Sequence, residues 1–363
     1  MLKKVLSLKV LLKKNFYTIL FIITLISLCL VIILPQIILG LGNYIYSNTL
    51  SSKDSNTLSS KDIRGNYVYY NTLVKEILFY LASVLYENIS PIYYSGNYIK
   101  SNKVDIVMCN HYIWGDAISC VSVIKKFDNR NIYSLYSNHL LLAPCIGLLT
   151  FDSNDINLTK NIKYDEGNII KSLDKIDSGI ILIFPEGHIY TNSQYSKSVK
   201  YSRQYNLPVL KSLLLPRTKG MFLIYNYLMK NNKMGNIIDM TGMNSNFNIK
   251  KSYNRVYAVK NMMFSNYNDT YYHIRTYNNL YQISNYDNFK EWLINIWVEK
   301  DKILDIMPTN NLIKTQHCQG LQYKIIIVVN ICIVLLLYTN VKYYFYIMLL
   351  LSSLIGIYRY IFA

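Results

Sequence analysis

Two short, wholly apolar stretches, each running into a chemically loaded turn, constrain this chain more than any other feature. Val104 to Cys109 reads as a buried strand and leads into Asn110-His111-Tyr112-Ile113-Trp114-Gly115-Asp116, after which Asp116 to Phe127 has helical spacing. Further along, Ile181-Leu182-Ile183-Phe184 delivers a second turn of the same type, Pro185-Glu186-Gly187. Apolar runs of this length suit strands covered on both faces. Two such turns after two buried strands place both edges on one cleft, as in open α/β sheets. A histidine followed five residues later by a carboxylate at a strand-to-helix turn has the makings of a base whose ring is held and polarised by that acid.

The rest of the central region supports an α/β class. From about residue 90 to residue 307, short apolar runs alternate with longer mixed segments, the pattern of a layered α/β domain, and the whole domain is expected to span residues 66–310. Expected strands are Val104–Cys109, Ile132–Tyr136, Ile156–Leu158, Ile180–Phe184, Val209–Leu215, Val256–Val259 and Tyr272–Thr276, and expected helices are Asp116–Phe127, Glu166–Lys175, Ser193–Tyr205 and Asn288–Met307. In the last helix Trp292, Leu293, Ile296, Trp297, Ile303 and Leu304 form the apolar side and Glu291, Glu299, Lys300 and Asp301 the polar one. The tryptophan pair reads as core packing. Asn66 to Asn88 also has helical apolar spacing and suits a surface-lying or core-covering helix.

The two ends of the chain have a different character. Asn15 to Ser52 carries no charge, and Phe16 to Leu34 is almost purely apolar, long enough as a helix to reach across a bilayer core. Residues 1–46 are therefore expected to form a membrane anchor. Lys3, Lys4, Lys9, Lys13 and Lys14 precede the apolar run and set the N-terminus in the cytosol. The run is longer than the apolar region of a cleaved signal peptide and has no small-residue cleavage site after it. Pro35 interrupts it, so a kinked or re-entrant helix competes with a clean span, and a bend there leaves the central domain cytosolic. Residues 47–65 hold an octapeptide, Ser47 to Asp54, repeated unchanged as Ser55 to Asp62, which reads as a flexible linker. In residues 324–363, Ile325–Thr339 and Tyr343–Ile357 flank a short turn and suit a membrane hairpin. These features make the chain an integral membrane protein of an intracellular membrane such as the endoplasmic reticulum.

Charge and cysteines narrow the partners. The formal charge of +17 comes from 38 basic and 21 acidic residues, yet charged residues make up only 16% of the chain and hydrophobic ones 52%. That balance suits a surface facing anionic lipid headgroups rather than nucleic acid, which calls for denser basic clusters. The cysteines, Cys29, Cys109, Cys120, Cys145, Cys318 and Cys332, form no C-x-x-C pair. Neither a disulfide framework nor a metal site is indicated, and a reducing compartment is. Cys109, the last residue of an apolar strand, reads as a small core residue rather than a nucleophile.

Four blocks in order carry a resemblance to a known family. Asn110–Asp116 matches an N-H-x4-D block, and Phe184-Pro185-Glu186-Gly187 matches the start of an F-P-E-G-T-R block. Leu215-Pro216-Arg217-Thr218-Lys219-Gly220 matches an L-P-R-T-K-G block, and Trp292-Leu293 with Glu299-Lys300-Asp301 is similar to a fourth feature. From about Tyr93 to Met307 the chain resembles the glycerolipid acyltransferases, which act on 1-acylglycerol-3-phosphate and other lysophospholipids. Its pattern is nearest the lysocardiolipin acyltransferase-like branch. The resemblance implies an acyltransferase-type mixed sheet flanked by helices, with N-terminal and C-terminal membrane helices.

It also implies an activity: transfer of a fatty acyl group from acyl-CoA, a co-substrate, to the free hydroxyl of lysophosphatidic acid or a lysophospholipid such as lysocardiolipin or lysophosphatidylinositol. No cofactor or metal is implied. His111 would be the base and Asp116 its partner, as in a Ser-His-Asp arrangement in which the substrate hydroxyl replaces Ser. The implied substrate-binding set is Asn110, Lys160, Pro185, Glu186, Gly187 and Arg217. The Pro-Glu-Gly turn leaves backbone N–H groups free for an anion, and Gly187 allows close approach. Two departures stand out. His188-Ile189 replaces the family's Thr-Arg, and Ile156-Asn157-Leu158-Thr159 is followed by Lys160 where an Arg is usual. Lysine supplies charge without arginine's bidentate fork. A catalytically inactive lipid-binding protein of the same fold is the alternative. A hydrolase with a Ser or Cys nucleophile is disfavoured, because no G-x-S-x-G elbow occurs.

Overall fold

A computed structural model describes Lys75, Ser83, Tyr86, Glu87 and residues 90–113, 115–137, 155–159, 162–244, 269–278, 283, 285–306 and 313–314. The expected membrane anchor, repeat linker, C-terminal hairpin and Val256–Val259 strand lie outside these residues, as does Lys160. Among the described residues, no helix is long and apolar enough to cross a membrane. The described residues divide into two compact units, the chain passing from the first to the second after Leu135 and returning after Asp165.

The first unit is a mixed sheet with helices packed on it. Its strands are β1 (Ile92–Gly96), β2 (Val104–Cys109), β3 (Ile132–Ser137), β5 (Gly179–Ile183), β6 (Met234–Asn244), β7 (Thr270–Tyr277) and β8 (Ile313–Lys314), while β4 (Ile156–Leu158) falls in the second unit. The order in the first unit is β3-β5-β2-β6-β7-β1-β8. β3, β5, β2 and β6 run parallel, β7 is antiparallel to β6, and β1 is parallel to β7. The helices are α1 (Asp116–Phe127), α2 (Ile162–Asp174), α3 (Asn192–Gln204), α4 (Thr218–Lys230) and α5 (Tyr286–Ile306).

The apolar runs explain the centre of this sheet. Every residue of β2 and β5 is buried, as expected of parallel strands covered on both faces. Their register pairs Val104 with Gly179 and Met108 with Ile183, so both strands end at the same edge. The two loaded turns therefore leave the sheet side by side. On α5 the buried residues Phe289, Leu293, Ile296, Trp297, Lys300 and Leu304 recur at three- and four-residue spacing and form the face turned to the protein interior. Lys300, expected on the polar side, belongs to that buried stripe.

One expected strand is absent. Val209–Leu215 forms no strand, although Leu210, Leu213 and Leu214 are buried. The Asp301 carboxylate takes the backbone N–H groups of Lys211 and Ser212, each at 2.7 Å, and so removes them from any ladder. Four elements were not anticipated: β1, β6, β8 and α4. In the second unit, Lys75 Nζ donates to Asp155 Oδ1 at 2.8 Å, and both side chains are buried. There the backbone N–H and hydroxyl of Thr159 donate to Asp165 Oδ1 at 2.6 and 2.7 Å.

Candidate active site

Asn110 directly follows β2 and makes the turn possible. Its side-chain Nδ2 donates to the Gly242 carbonyl at 2.8 Å, and its Oδ1 accepts from the Gly242 N–H at 2.8 Å. The amide is consumed by this tie to β6 and is buried, so its contribution is to anchor the turn.

The chain then delivers His111 and Asp116 to each other. Asp116 opens α1, and its Oδ2 accepts three hydrogen bonds: from the Tyr112 N–H at 2.6 Å, the Ile113 N–H at 2.8 Å and His111 Nδ1 at 3.1 Å. An ionised carboxylate only accepts, so the His111 proton sits on Nδ1 and Nε2 is left with its lone pair. The His111 ring stacks on Phe184, with centroids 4.4 Å apart, and its side chain is 19% exposed. The imidazole is thus held by an acid at one edge and an aromatic face beneath, while remaining reachable.

Phe184 brings the second turn alongside. The Gly187 N–H donates to the Phe184 carbonyl at 2.9 Å, and the Tyr190 N–H donates to the His111 carbonyl at 2.8 Å, lacing the two turns together. Gly187 has φ +67°, the left-handed region in which glycine is at no disadvantage. A β-carbon there would come within 3.0 Å of Cδ and Nε of Arg217, whose guanidinium therefore lies across the glycine. The Arg217 N–H donates to the Pro185 carbonyl at 2.7 Å, so the segment leading to α4 is fastened to the same turn. Arg217 immediately precedes α4, whose first turn contains no acidic residue.

Glu186 faces inward. Its side chain is buried, Trp297 Nε1 approaches Oε1 at 3.4 Å, and Oε2 has no partner among the described residues. Burial pushes this carboxyl up to about 8. The Lys300 ammonium, the Trp297 indole and the His111 backbone N–H pull it the other way, and Asp116 adds to the rise. What the Glu186 turn offers outward is backbone, not the carboxylate.

The structure thus brings Asn110, His111, Asp116, Pro185, Glu186, Gly187 and Arg217 to one sheet edge. Beneath them lies a layer that sequence reasoning did not assign. Lys300 Nζ is 2.6 Å from Asp239 Oδ1, donates to the Met240 carbonyl at 2.8 Å and sits 4.6 Å from the Trp297 ring centre. Asp239 Oδ2 also accepts from Arg275, at 2.7 Å from Nη2 and 3.2 Å from Nε, and Arg275 is bound in turn by Glu299. The signal was a lysine on the apolar stripe of α5, three residues beyond Trp297. Among the described residues no cluster of His, Cys, Asp and Glu could hold a metal ion.

Known proteins resemble this chain in the same region. It is 26% identical over 235 residues to a protein of Arabidopsis thaliana named as a probable 1-acyl-sn-glycerol-3-phosphate acyltransferase, covering 61% of this chain and 58% of that one. It is 22% identical over 250 residues to the 2-acyl-1-lysophosphatidylinositol acyltransferase of Saccharomyces cerevisiae, covering 58% and 62%. The chain therefore spans about three fifths of the length of the curated relatives it matches. A crystal structure of the 1-acyl-sn-glycerophosphate acyltransferase PlsC from Thermotoga maritima aligns with TM-score 0.44 and 12% identity, over 79% of this chain and 97% of that one. No family model matches the sequence. The resemblance to glycerolipid acyltransferases that the four blocks suggested is thus also a resemblance, over about three fifths of their length, to curated relatives carrying those names.

Proposed function

We propose that this protein is an acyl-CoA-dependent acyltransferase that esterifies the free hydroxyl of a lysophospholipid at a membrane surface, with no resident metal or cofactor. The observation that carries the reading is the convergence of three donors on Asp116 Oδ2, which sets the His111 proton on Nδ1 and frees Nε2. A base in this state accepts the proton of an alcohol as the alcohol attacks. The acceptor oxygen forms a bond to the thioester carbonyl carbon, the C–S bond breaks, and the imidazolium returns its proton to the departing thiolate. Asp116 stabilises the imidazolium between these steps.

The acceptor's phosphate is read as lying over the Gly187 turn, against the Arg217 guanidinium and the first N–H groups of α4; the sequence resemblance alone adds Lys160 as a further candidate cation. Lysophosphatidic acid, lysophosphatidylinositol and lysocardiolipin all present such a phosphate. The apolar terminal segments and the excess of basic residues support a membrane-bound enzyme with its domain on the cytosolic side, where acyl-CoA is supplied.

The test is label transfer from radioactive acyl-CoA to a panel of lysolipids in membranes carrying the full chain. Wild type is expected to form labelled diacyl product with at least one phosphate-bearing acceptor, and His111→Ala to retain less than about 1% of that rate. Equal rates for wild type and His111→Ala would remove His111 as the base. Stoichiometric lipid binding without turnover would favour the inactive lipid-binding alternative.

A further inference from the structure

The geometry points to Lys300 as a positioning residue for His111: its buried ammonium fixes β6 and the Trp297 indole, and that indole fixes the Glu186 carboxyl of the turn whose Phe184 ring supports the imidazole. This inference rests on reading His111 as the base of an acyl transfer.

An ammonium with none of its surface exposed is retained only where its surroundings replace water. Lys300 has an ion pair with Asp239, a hydrogen bond to the Met240 carbonyl and the face of Trp297. The ion pair alone could be structural, since Asp239 is also bound by Arg275, and Arg275 by the half-exposed Glu299. What sets Lys300 apart is its place on the ring of the tryptophan whose Nε1 approaches Glu186 Oε1 at 3.4 Å. Glu186 follows Phe184 by two residues in the same turn, and the His111 ring stacks on Phe184 at 4.4 Å, so a series of contacts runs from α5 to the candidate base.

The neighbouring residues of α5 act in the same sense. Glu299 grips β7 through Arg275, and Asp301 accepts the N–H groups of Lys211 and Ser212 in the strap before Arg217. Three consecutive side chains of one helix thus hold β7, β6 and the strap that forms the other wall of the site. Ser212 also accepts the Tyr112 hydroxyl at 2.9 Å through its carbonyl, which fastens the strap to the His111 turn.

The charge on Lys300 has a separate consequence. The groups facing Glu186 are Lys300 and Trp297 from α5, Asp116 from α1, the His111 amide with Tyr112 beside it, and Tyr190 beyond the second turn. Lys300 is the cation among them. Burial already raises the Glu186 carboxyl to about 8, so at neutral pH it carries its proton. Removing Lys300 leaves burial and Asp116 without that opposition, and the carboxyl holds its proton to still higher pH.

Trp297 reports this titration independently of catalysis. In the full chain with Trp114→Phe and Trp292→Phe, indole fluorescence read against pH is expected to show an inflection near 8. In Lys300→Met the inflection moves up by about one pH unit or more. The double variant Lys300→Met/Asp239→Asn, which leaves no uncompensated carboxylate on β6, shows the same displacement. In the transfer assay, Lys300→Met loses about tenfold in kcat while the KM values of both substrates stay within about twofold. An identical fluorescence midpoint in all three proteins overturns the proposal, and so does failure of both variants to fold, which would make Lys300 purely structural. If the midpoint moves as expected but no lysolipid is acylated by wild type, the reading of the reaction fails and the coupling of Lys300 to Glu186 stands.

Discussion

Replacing Asp116 with asparagine separates the charge of this residue from its shape. His111 Nδ1 and the N–H groups of Tyr112 and Ile113 converge on one oxygen, at 3.1, 2.6 and 2.8 Å. The two backbone donors dictate that an asparagine present its carbonyl oxygen at that point, because its nitrogen would set N–H against N–H. The imidazole then keeps its proton on Nδ1, and the variant loses the anion alone. Where the substituted amide instead inverts the tautomer, as in a serine protease triad, turnover falls about 10⁴-fold. A full charge about 4 Å from the imidazolium contributes about 4 kcal/mol at an effective dielectric of about 20. The His111 and Asp116 side chains are 19% and 11% exposed, which reduces that figure toward about 2 kcal/mol. The expected loss in kcat is therefore about 30- to 1,000-fold. Initial rates at saturating acyl-CoA and lysolipid measure it, and the KM for acyl-CoA should stay within about twofold. The thermal midpoint should fall less for Asp116→Asn than for Asp116→Ala, which strands two N–H groups at about 1–3 kcal/mol each. A loss under fivefold would refute stabilisation of the imidazolium by Asp116, and a folded variant losing more than 10⁴ would refute the tautomer argument.

Gly187→Ala sets a β-carbon at a φ of +67° and 3.0 Å from Arg217, so stability should fall by about 1–2 kcal/mol and the acceptor KM should rise, both read by thermal melts and steady-state kinetics. Arg217→Ala and Lys160→Ala should each raise the lysolipid KM about tenfold or more, from the loss of a charge-assisted hydrogen bond of about 1.5–3 kcal/mol, with the acyl-CoA KM unchanged. Wild-type KM values across a lysolipid panel would contradict the phosphate role of whichever residue was changed. A glycosylation acceptor inserted within Ser47–Asp62 should remain unmodified, and efficient modification there would place the following domain on the luminal side.

Where the buried strands were uniformly apolar, the sequence was easy to read. β2 and the turns at Asn110 and Pro185 stand out because nothing polar interrupts the runs before them. β6 escaped notice for the opposite reason: Gly235, Asn236, Asp239, Thr241 and Gly242 make it look like a loop, yet Asp239 and Thr241 are fully buried. Asp239 is tolerated there because Lys300 and Arg275, distant in sequence, neutralise it. Pairing across elements cannot be seen in a one-dimensional pattern, and the same blindness put Lys300 on the wrong side of α5. α4 was legible after all, since Met221, Ile224, Tyr225 and Leu228 have helical spacing and are buried. The Leu215–Gly220 block drew attention to itself as a motif and hid the helix that starts inside it. Val209–Leu215 misled because three buried leucines mimic a strand whose amides are in fact occupied by Asp301.

The two hydrogen bonds between Asn110 and Gly242 have a consequence for which residues position 110 can accept. A primary amide imitates a peptide group, with one donor and one acceptor a fixed distance apart, so the side chain serves as the final rung of the β2–β6 ladder. The backbone is thereby released from the sheet one step early without stranding the N–H and C=O of Gly242 in a dry interior. Aspartate has the same outline but two acceptors, so one of its oxygens would face the Gly242 carbonyl in mutual repulsion. Glutamine has the right groups on a stem one methylene too long for the gap. The side chain preceding the histidine is thus selected by the geometry of the strand beside it, to which it ties the turn that delivers His111.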